Sequence, residues 1–314
     1  MTESPRGGNF GSSALLRQIA ICVGLLMSVQ AARGDGSGGT AAADFLRLEI
    51  GAASTAQGGA FAGRSGGVEV FAYNPAGLAR AERHEITFQH TSALLDIRQE
   101  YLAGVMRMSR WTAAGSLSYH AGGEQIRRTI SNPSGAGLPG FHNDALAVSL
   151  GLATAFGDAF SVGGTVKIFK EQLDTAKRNG FALDLGLHYL FANGAYEAGA
   201  VIRNIGPQVK FDRAGEDLPL ELALGASARF LNDRLRLSGE LDMARAQDIR
   251  GKAGIEYRVI DFLVLRAGYN SRIELGSGVS AGLGIPIGNL LFDYAWVDHG
   301  LAGDAHRAAL TVGF

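Results

Sequence analysis

The stretch FALDLGLHYLF, residues 181–191, alternates bulky apolar side chains with small or polar ones. Successive side chains of a β-strand point to opposite faces, so this pattern predicts a strand with one apolar and one polar face. Leu185 and Tyr189 fall on the apolar face, and Asp184 and His188 fall on the polar face. The length matches the roughly 9 to 11 residues that a tilted strand needs to cross a bilayer. The stretch therefore predicts a membrane-crossing strand whose apolar face contacts lipid.

Similar segments continue to the C-terminus, and we expect fourteen strands in all. The clearest others are residues 220–230, 235–241, 290–297 and 307–314. Short connectors rich in turn residues lie at 109–110, 157–158, 192–194, 231–233, 260–261 and 286–289. Between them are longer polar connectors at 92–98, 122–141, 174–179, 206–218, 244–248, 271–276 and 298–305. Short periplasmic turns alternating with longer outer loops are typical of bacterial outer-membrane barrels. The chain is thus predicted to be an all-β, closed antiparallel barrel in the outer membrane of a Gram-negative-type bacterium, with the lipid bilayer as its surroundings.

The composition excludes several other classes of protein. Basic and acidic residues number 29 and 30, so no basic field is available to bind nucleic acid. A mean hydropathy of +0.09, without a run of eighteen apolar residues, excludes a helical membrane protein. The seven histidines show no metal-binding spacing, and no nucleotide-binding motif is present. We predict no cofactor and no metal.

One short motif bears on whether the protein is an enzyme. Residues 278–282, GVSAG, match the nucleophile motif G-x-S-x-G. That motif needs a strand-to-helix turn that exposes the serine. Ser280 instead lies in a strand-like run that is followed by Pro286. The protein is therefore predicted not to be an enzyme.

Charged side chains fall on the face opposite to the apolar one in many predicted strands. A charge facing lipid at the bilayer centre costs about 2–4 kcal/mol, so such a set is accommodated only in the lumen. The principal members are Asp184, Arg203, Glu221, Arg229, Glu240, Arg266 and Asp293. They act either as cross-strand ion pairs that fill a narrow barrel or as a lining that selects solutes. The same alternation predicts that Leu185→Arg is damaging and that Gly186→Ser, on the lumenal face, is mild.

The first residues are predicted to be a targeting segment. Arg17 precedes an apolar run over residues 19–29, which is too short to span a bilayer and contains Cys22, the single cysteine. We assign residues 1–32 to a signal peptide, 33–43 to a flexible N-terminus, 44–83 to a separate segment before the barrel, and 84–314 to the barrel. Phe314, at the end of an outward alternation, is predicted to be the signal that the barrel-assembly machinery reads.

Residues 44–83, which we call the hatch segment, are rich in glycine and alanine and do not have a strand pattern. Asn74 precedes a proline, where helix is disfavoured, and a glycine follows where a turn can close. The segment therefore predicts a compact, turn-rich plug. Its distinctive residues are Gly58, Gly59, Phe61, Tyr73, Asn74, Pro75, Ala76 and Gly77.

In combination, FLRLEIGAASTAQGGAFAG (45–63) and YNPAGL (73–78) resemble the start of outer-membrane proteins of the PorV/PorQ family, within the superfamily of the fatty-acid transporter FadL. The resemblance implies a fourteen-stranded barrel with residues 44–83 folded into the lumen as a hatch. It implies one of two functions. The barrel is either a conduit that passes hydrophobic small molecules through the hatch and a gap in the wall, or a platform that docks exported proteins in type IX-like secretion.

Overall fold

The computed structural model describes residues 42–93, 96–211, 214–245, 247–273 and 276–314. The predicted signal peptide, 1–32, lies outside the described residues, as does nearly all of the predicted flexible N-terminus, 33–43. Within the described part of the chain, no helix has both the length and the apolar composition needed to cross a bilayer.

The described residues form sixteen strands after a short helical region. The strands are β1 Glu85–Ser92, β2 Arg98–Arg107, β3 Trp111–Ala121, β4 Asn143–Phe156, β5 Phe160–Leu173, β6 Ala176–Phe191, β7 Tyr196–Ile205, β8 Val209–Phe211, β9 Ala214–Glu216, β10 Glu221–Phe230, β11 Leu235–Ala244, β12 Ile249–Ile260, β13 Leu263–Asn270, β14 Val279–Ile287, β15 Leu290–Asp298 and β16 Asp304–Gly313. In the same described residues, the α-helix α1 covers Ala52–Thr55, and 3₁₀ helices cover Asp44–Arg47, Val68–Ala72, Pro75–Arg80, Ala192–Gly194 and Gly300–Ala302.

Fourteen of these strands close into one antiparallel barrel, which confirms the predicted fold. Strand β1 pairs with β2 on one side and with β16 on the other, from Glu85 opposite Gly313 to Ser92 opposite His306. Closure leaves no strand edge unpaired, as a sheet in lipid requires. The remaining strands, β8 and β9, pair as a hairpin within the connection between β7 and β10.

The two faces of the wall differ as the alternation predicts. On β6, Leu185 is 58% exposed on the outside, whereas Asp184 and His188 are each 1% exposed on the lumenal side. Apolar residues outside and polar residues inside are the reverse of the distribution in a soluble protein. This distribution matches a wall that faces hydrocarbon. The predicted location in the outer membrane is confirmed by this closed, apolar-banded barrel.

Two predicted loops are wrong in detail. Residues 174–179 are not a long loop, because β5 ends at Leu173, β6 begins at Ala176, and these two residues pair across a two-residue turn. At the outer end of β6, the outward-facing residues are Lys177 and Asn179, which are polar. This end of the strand extends beyond the bilayer, so its composition is that of a loop although its structure is a strand. The predicted loop 206–218 likewise contains the β8–β9 hairpin.

Candidate functional site in the barrel lumen

The hatch segment lies inside the barrel and fills its lumen with short helical turns. Helix α1 contacts β14, β15 and β16, whereas the 3₁₀ helix Pro75–Arg80 contacts β3, β4, β5 and β6. Phe61, Phe71 and Leu78 pack in one apolar cluster with wall residues of β2, β3 and β4. The turn at Gly58 and Gly59 has positive φ angles of 66° and 74°, a conformation that favours glycine. The segment is thus a folded plug with its own apolar contacts to the wall.

Asn74 is the most tightly bonded residue of the predicted motif and is 0% exposed. Its side-chain Nδ2 donates to the carbonyl oxygens of Ala62 at 2.8 Å and Leu187 at 3.0 Å. Its Oδ1 accepts from the backbone N–H of Ala76 at 3.1 Å, which caps the 3₁₀ helix that Pro75 begins. The amide of Asn74 therefore joins two turns of the hatch segment to β6 of the wall.

The other motif residues complete the same fold. Gly77 N–H donates to the carbonyl oxygen of Asn74 at 3.1 Å. The rings of Phe61 and Tyr73 lie 5.5 Å apart, and the Tyr73 hydroxyl donates to the carbonyl oxygen of Ile50 at 2.8 Å. The motif thus supplies the turns and ring contacts that keep the plug compact.

Lumenal glycines of the wall allow this plug to lie directly on the strands. A methyl group added at Gly199 would overlap the carbonyl oxygen of Ala62, and one added at Gly225 would overlap the backbone nitrogen of Gly63. A methyl group at Gly186 would overlap Oδ1 of Asn74. The prediction that Gly186→Ser is mild is therefore wrong, because the lumenal face at this position is occupied by the hatch segment.

Charged side chains of the wall form hydrogen bonds with the hatch segment. Glu240 Oε2 accepts from the N–H groups of Phe61 at 3.0 Å and Ala62 at 2.8 Å. Arg203 donates to the carbonyl oxygen of Tyr73 at 3.2 Å. Arg307 donates to the hydroxyl of Thr55 at 2.8 Å. Hydrogen bonds to charged groups are worth about 1.5–3 kcal/mol each, so these contacts add substantially to the apolar ones.

The structure arranges the predicted lumenal charges in ion pairs. Asp184 pairs with Lys167 at 2.7 Å, Arg203 with Glu221, Glu240 with Lys252 at 2.9 Å, and Arg266 with both Asp293 at 2.6 Å and Glu256 at 2.7 Å. Arg229, near the end of β10, lies 3.7 Å from the carboxylates of Glu197 and Asp233 and donates to the carbonyl oxygen of Gly194 at 2.9 Å. This arrangement favours the interpretation of the charges as ion pairs over that of a solute-selecting lining.

Three polar residues that form hydrogen bonds within the hatch segment or between it and the wall were not singled out from the sequence. The carboxylate of Glu69 accepts from the N–H groups of Ala53 at 3.3 Å and Ser54 at 2.9 Å, at the start of α1. Gln89 on β1 accepts from Gly51 N–H at 2.6 Å, and Asn270 on β13 donates to Glu49. The inward position of Gln89 in its strand is the only signal that could have indicated this role.

Two cavities of the described part of the barrel lie against the hatch segment. The outer cavity, of about 60 Å³, lies between residues 45–50 and the lumenal face of β3, β4 and β5. The inner cavity, of about 310 Å³, is lined by hatch residues such as Phe61 and Glu69 and by the turn at Pro286. Residues of the hatch segment therefore line both cavities.

The remaining candidate residues, inside and outside the lumen, have structural contacts. Ser280 lies within β14, where its hydroxyl accepts from Gly58 N–H at 3.2 Å, and no nucleophile turn is formed. In the outer loops, a hydrogen bond from Arg127 lowers the pKa of Asp174 below its usual range. Within the described residues, no cluster of histidine, cysteine or carboxylate side chains could hold a metal ion. Phe314 is paired with His84 through its backbone N–H and carbonyl oxygen, with its side chain 66% exposed.

No protein-family model matches the chain, and no curated protein matches it. Among solved structures, the toluene transporter TbuX of Ralstonia pickettii is similar, with a TM-score of 0.63 at 18% identity over 85% of this chain and 99% of its own. The monoaromatic hydrocarbon channel TodX gives a TM-score of 0.62 at 14% identity, over 84% of this chain and 98% of its own. A FadL homologue of Pseudomonas aeruginosa gives 0.59 at 11%, over the same shares. At these identities the similarity establishes a FadL-like barrel fold, whereas membership of the PorV/PorQ family stays a prediction.

Proposed function

We propose that the barrel is a conduit for hydrophobic small molecules across the outer membrane, with residues 44–83 as its hatch. The observation that carries the proposal is the shared fold. The chain spans nearly the whole length of a toluene transporter and of a monoaromatic hydrocarbon channel, with 85% and 84% of its own residues. A closed barrel with a folded plug is suited to selective passage rather than to free diffusion.

Movement of the hatch segment would join the outer and inner cavities. The segment is not part of the wall, because the fourteen strands close without it. It is held to the wall by hydrogen bonds and by close packing against lumenal glycines. Such contacts can be lost locally while the strands of the wall stay paired. These features support a hatch that opens for a solute and closes behind it.

A side exit through the wall is best placed between β6 and β7. The regular register between these strands is interrupted between Leu183 and Leu185. Asn204 on β7 has a φ of 61°, and its N–H donates to the Asp184 side chain at 2.8 Å in place of a ladder partner. Such bulges locally disrupt a sheet, which supports an opening at this point.

The alternative, a docking platform for exported proteins, rests on the PorV/PorQ resemblance alone and stays a prediction. Recognition of Phe314 by the barrel-assembly machinery also stays a prediction. Neither is needed for the conduit.

The conduit is tested by uptake in a bacterial host that lacks its own channels for hydrophobic compounds. We expect cells with the assembled barrel to take up labelled toluene several-fold faster than cells with the empty vector. A small sugar serves as the control solute, and its uptake should not change, because the plug excludes a free aqueous pore. Equal toluene uptake in the two strains, with the barrel shown to be assembled by its heat-modifiable gel mobility, would overturn the proposal.

A further inference from the structure

We propose that the outer cavity selects small uncharged molecules that have an aromatic body and one neutral hydroxyl, the class of phenols and aryl alcohols. This inference rests on the proposed conduit and specifies its substrate class. It distinguishes this chain from a channel for plain hydrocarbons and from one for carboxylates.

The basic side chains around the outer cavity are already paired with carboxylates of the protein. Glu221 accepts from Arg47 at 3.4 Å and from Arg272 at 2.9 Å, and it also pairs with Arg203. The other described basic residues in the lining follow the same rule, with Lys167 2.7 Å from Asp184 and Lys252 2.9 Å from Glu240. A carboxylate ligand would have to break one of these pairs and leave a buried charge without its partner, which is costly. The lining therefore disfavours an anionic head group.

Neutral polar atoms of the same lining, in contrast, have no hydrogen-bond partner. They are Nδ1 of His120 on β3, Oγ1 of Thr165 on β5 and the hydroxyl of Tyr101 on β2, in residues that are 7%, 4% and 2% exposed. Buried polar atoms are nearly always bonded in folded proteins, so these three point to a molecule in the cavity that bonds to them. The other ring nitrogen of His120, Nε2, lies 2.9 Å from the hydroxyl of Ser118.

The Ser118–His120 contact suits a ligand hydroxyl in particular. If Ser118 donates to Nε2, then Nδ1 carries the proton and donates to the ligand. If Nε2 donates to Ser118, then Nδ1 accepts from the ligand. A hydroxyl can act as donor or acceptor and so satisfies His120 in either tautomer, and it can bond to Thr165 as well. A plain hydrocarbon can do neither.

The apolar part of the lining is aromatic. Phe71, Tyr73 and Tyr101 contribute to it, and the ring of Phe45 lies 5.3 Å from that of His120. The cavity of about 60 Å³ holds roughly four water molecules, at about 15 Å³ for each. A one-ring molecule needs more space, and residues 45–50 form part of the side of the cavity that is not built from strands. The ring would therefore enter as this part of the hatch segment moves aside.

Three one-ring probes separate the substrate classes: toluene, benzyl alcohol and benzoate. Binding to the purified barrel in lipid nanodiscs is measured by calorimetry, with empty nanodiscs as the reference for partition into lipid. We expect benzyl alcohol to bind up to about tenfold more tightly than toluene, since one net hydrogen bond supplies a factor of this order. Benzoate should bind more weakly than benzyl alcohol.

Two variants link the preference to the unpartnered atoms. His120→Phe and Thr165→Val should each reduce the ratio of benzyl alcohol to toluene affinity severalfold while leaving toluene binding within about twofold. Ser238→Ala is the matched control, because Ser238 also has a buried, unpartnered hydroxyl but does not line this cavity. Its ratio should equal that of the wild type.

The outcomes separate this inference from the conduit itself. Equal affinity for toluene and benzyl alcohol, or tightest binding of benzoate, would overturn the inference and leave the conduit standing. Failure of an assembled barrel to bind any probe or to raise toluene uptake would overturn both. If a variant does not assemble, the three probes on the wild-type barrel decide the question alone.

Discussion

Replacing Asn74 by alanine should loosen the hatch segment without opening the barrel wall. The substitution removes the partners of two buried backbone groups of the hatch segment, the carbonyl oxygen of Ala62 and the N–H of Ala76. At about 1–3 kcal/mol for each unsatisfied buried group, the plug loses about 2–6 kcal/mol. The wall keeps its fourteen strands, because Leu187, the third partner, is contacted only through its carbonyl oxygen.

The assay is the labelling rate of a cysteine placed inside the hatch segment. Ala60→Cys puts a thiol at a position that is 1% exposed, and Cys22→Ala removes the single native cysteine. A loss of about 2 kcal/mol raises the open population about thirtyfold, so maleimide labelling should accelerate by a factor of this size or more. Heat-modifiable mobility should be unchanged.

A matched control is Asn132→Ala, the same change in an exposed outer loop. It should leave the labelling of the reporter cysteine at its wild-type rate. Equal labelling of the reporter in the Asn74→Ala and wild-type backgrounds would refute the reasoning that Asn74 fastens the plug.

Further predictions concern assembly, the lipid face and the contact between wall and plug. Deletion of Phe314 should block insertion, seen as loss of the heat-modifiable band, and normal assembly of the shortened chain would refute its role as a signal. Leu185→Arg should reduce assembly by placing a cation against hydrocarbon at a cost of about 2–4 kcal/mol, whereas Leu301→Arg, in a fully exposed loop, should not. Equal yields of the two folded barrels in the same mobility assay would mean that the faces are misassigned. Gly225→Ala should displace the hatch segment and speed the labelling of Ala60→Cys, whereas Gly104→Ala, whose methyl group would have its nearest neighbour at 3.7 Å, should leave it unchanged. Slow labelling in both the Gly225→Ala and the Gly104→Ala barrels would argue against direct contact between the hatch segment and the wall at Gly225.

The architecture of the wall could be predicted because lipid imposes a strict alternation. Leu185 and Asp184 could be assigned to opposite faces from their adjacent positions in the sequence. A shift of one residue in the assignment would place a charged side chain in hydrocarbon. The rule weakens beyond the bilayer, where both faces of a strand meet water. Residues 176–179 of β6 and the β8–β9 hairpin were therefore predicted to be loop.

The candidate site was less predictable because its contacts join distant parts of the chain. The sequence 58–59, Gly-Gly, and the Asn-Pro-Ala-Gly turn indicated a compact plug before the barrel. No local pattern shows that the Asn74 side chain lies over Gly186, or that the Glu69 carboxylate caps α1. Such pairings depend on how the plug is seated within the closed wall, which a single sequence does not reveal.

The central claim, that solutes pass only when the hatch segment moves, is tested most directly by locking it to the wall. Ala56 of the hatch segment and Ala295 of β15 belong to one buried cluster of alanines. In a Cys22→Ala background, the double variant Ala56→Cys, Ala295→Cys offers a disulfide across this contact, and each single cysteine variant is the control. The account predicts that oxidation reduces toluene uptake to that of cells without the barrel, that reduction restores it, and that the single variants do not respond. Undiminished uptake by a fully cross-linked barrel would contradict the claim.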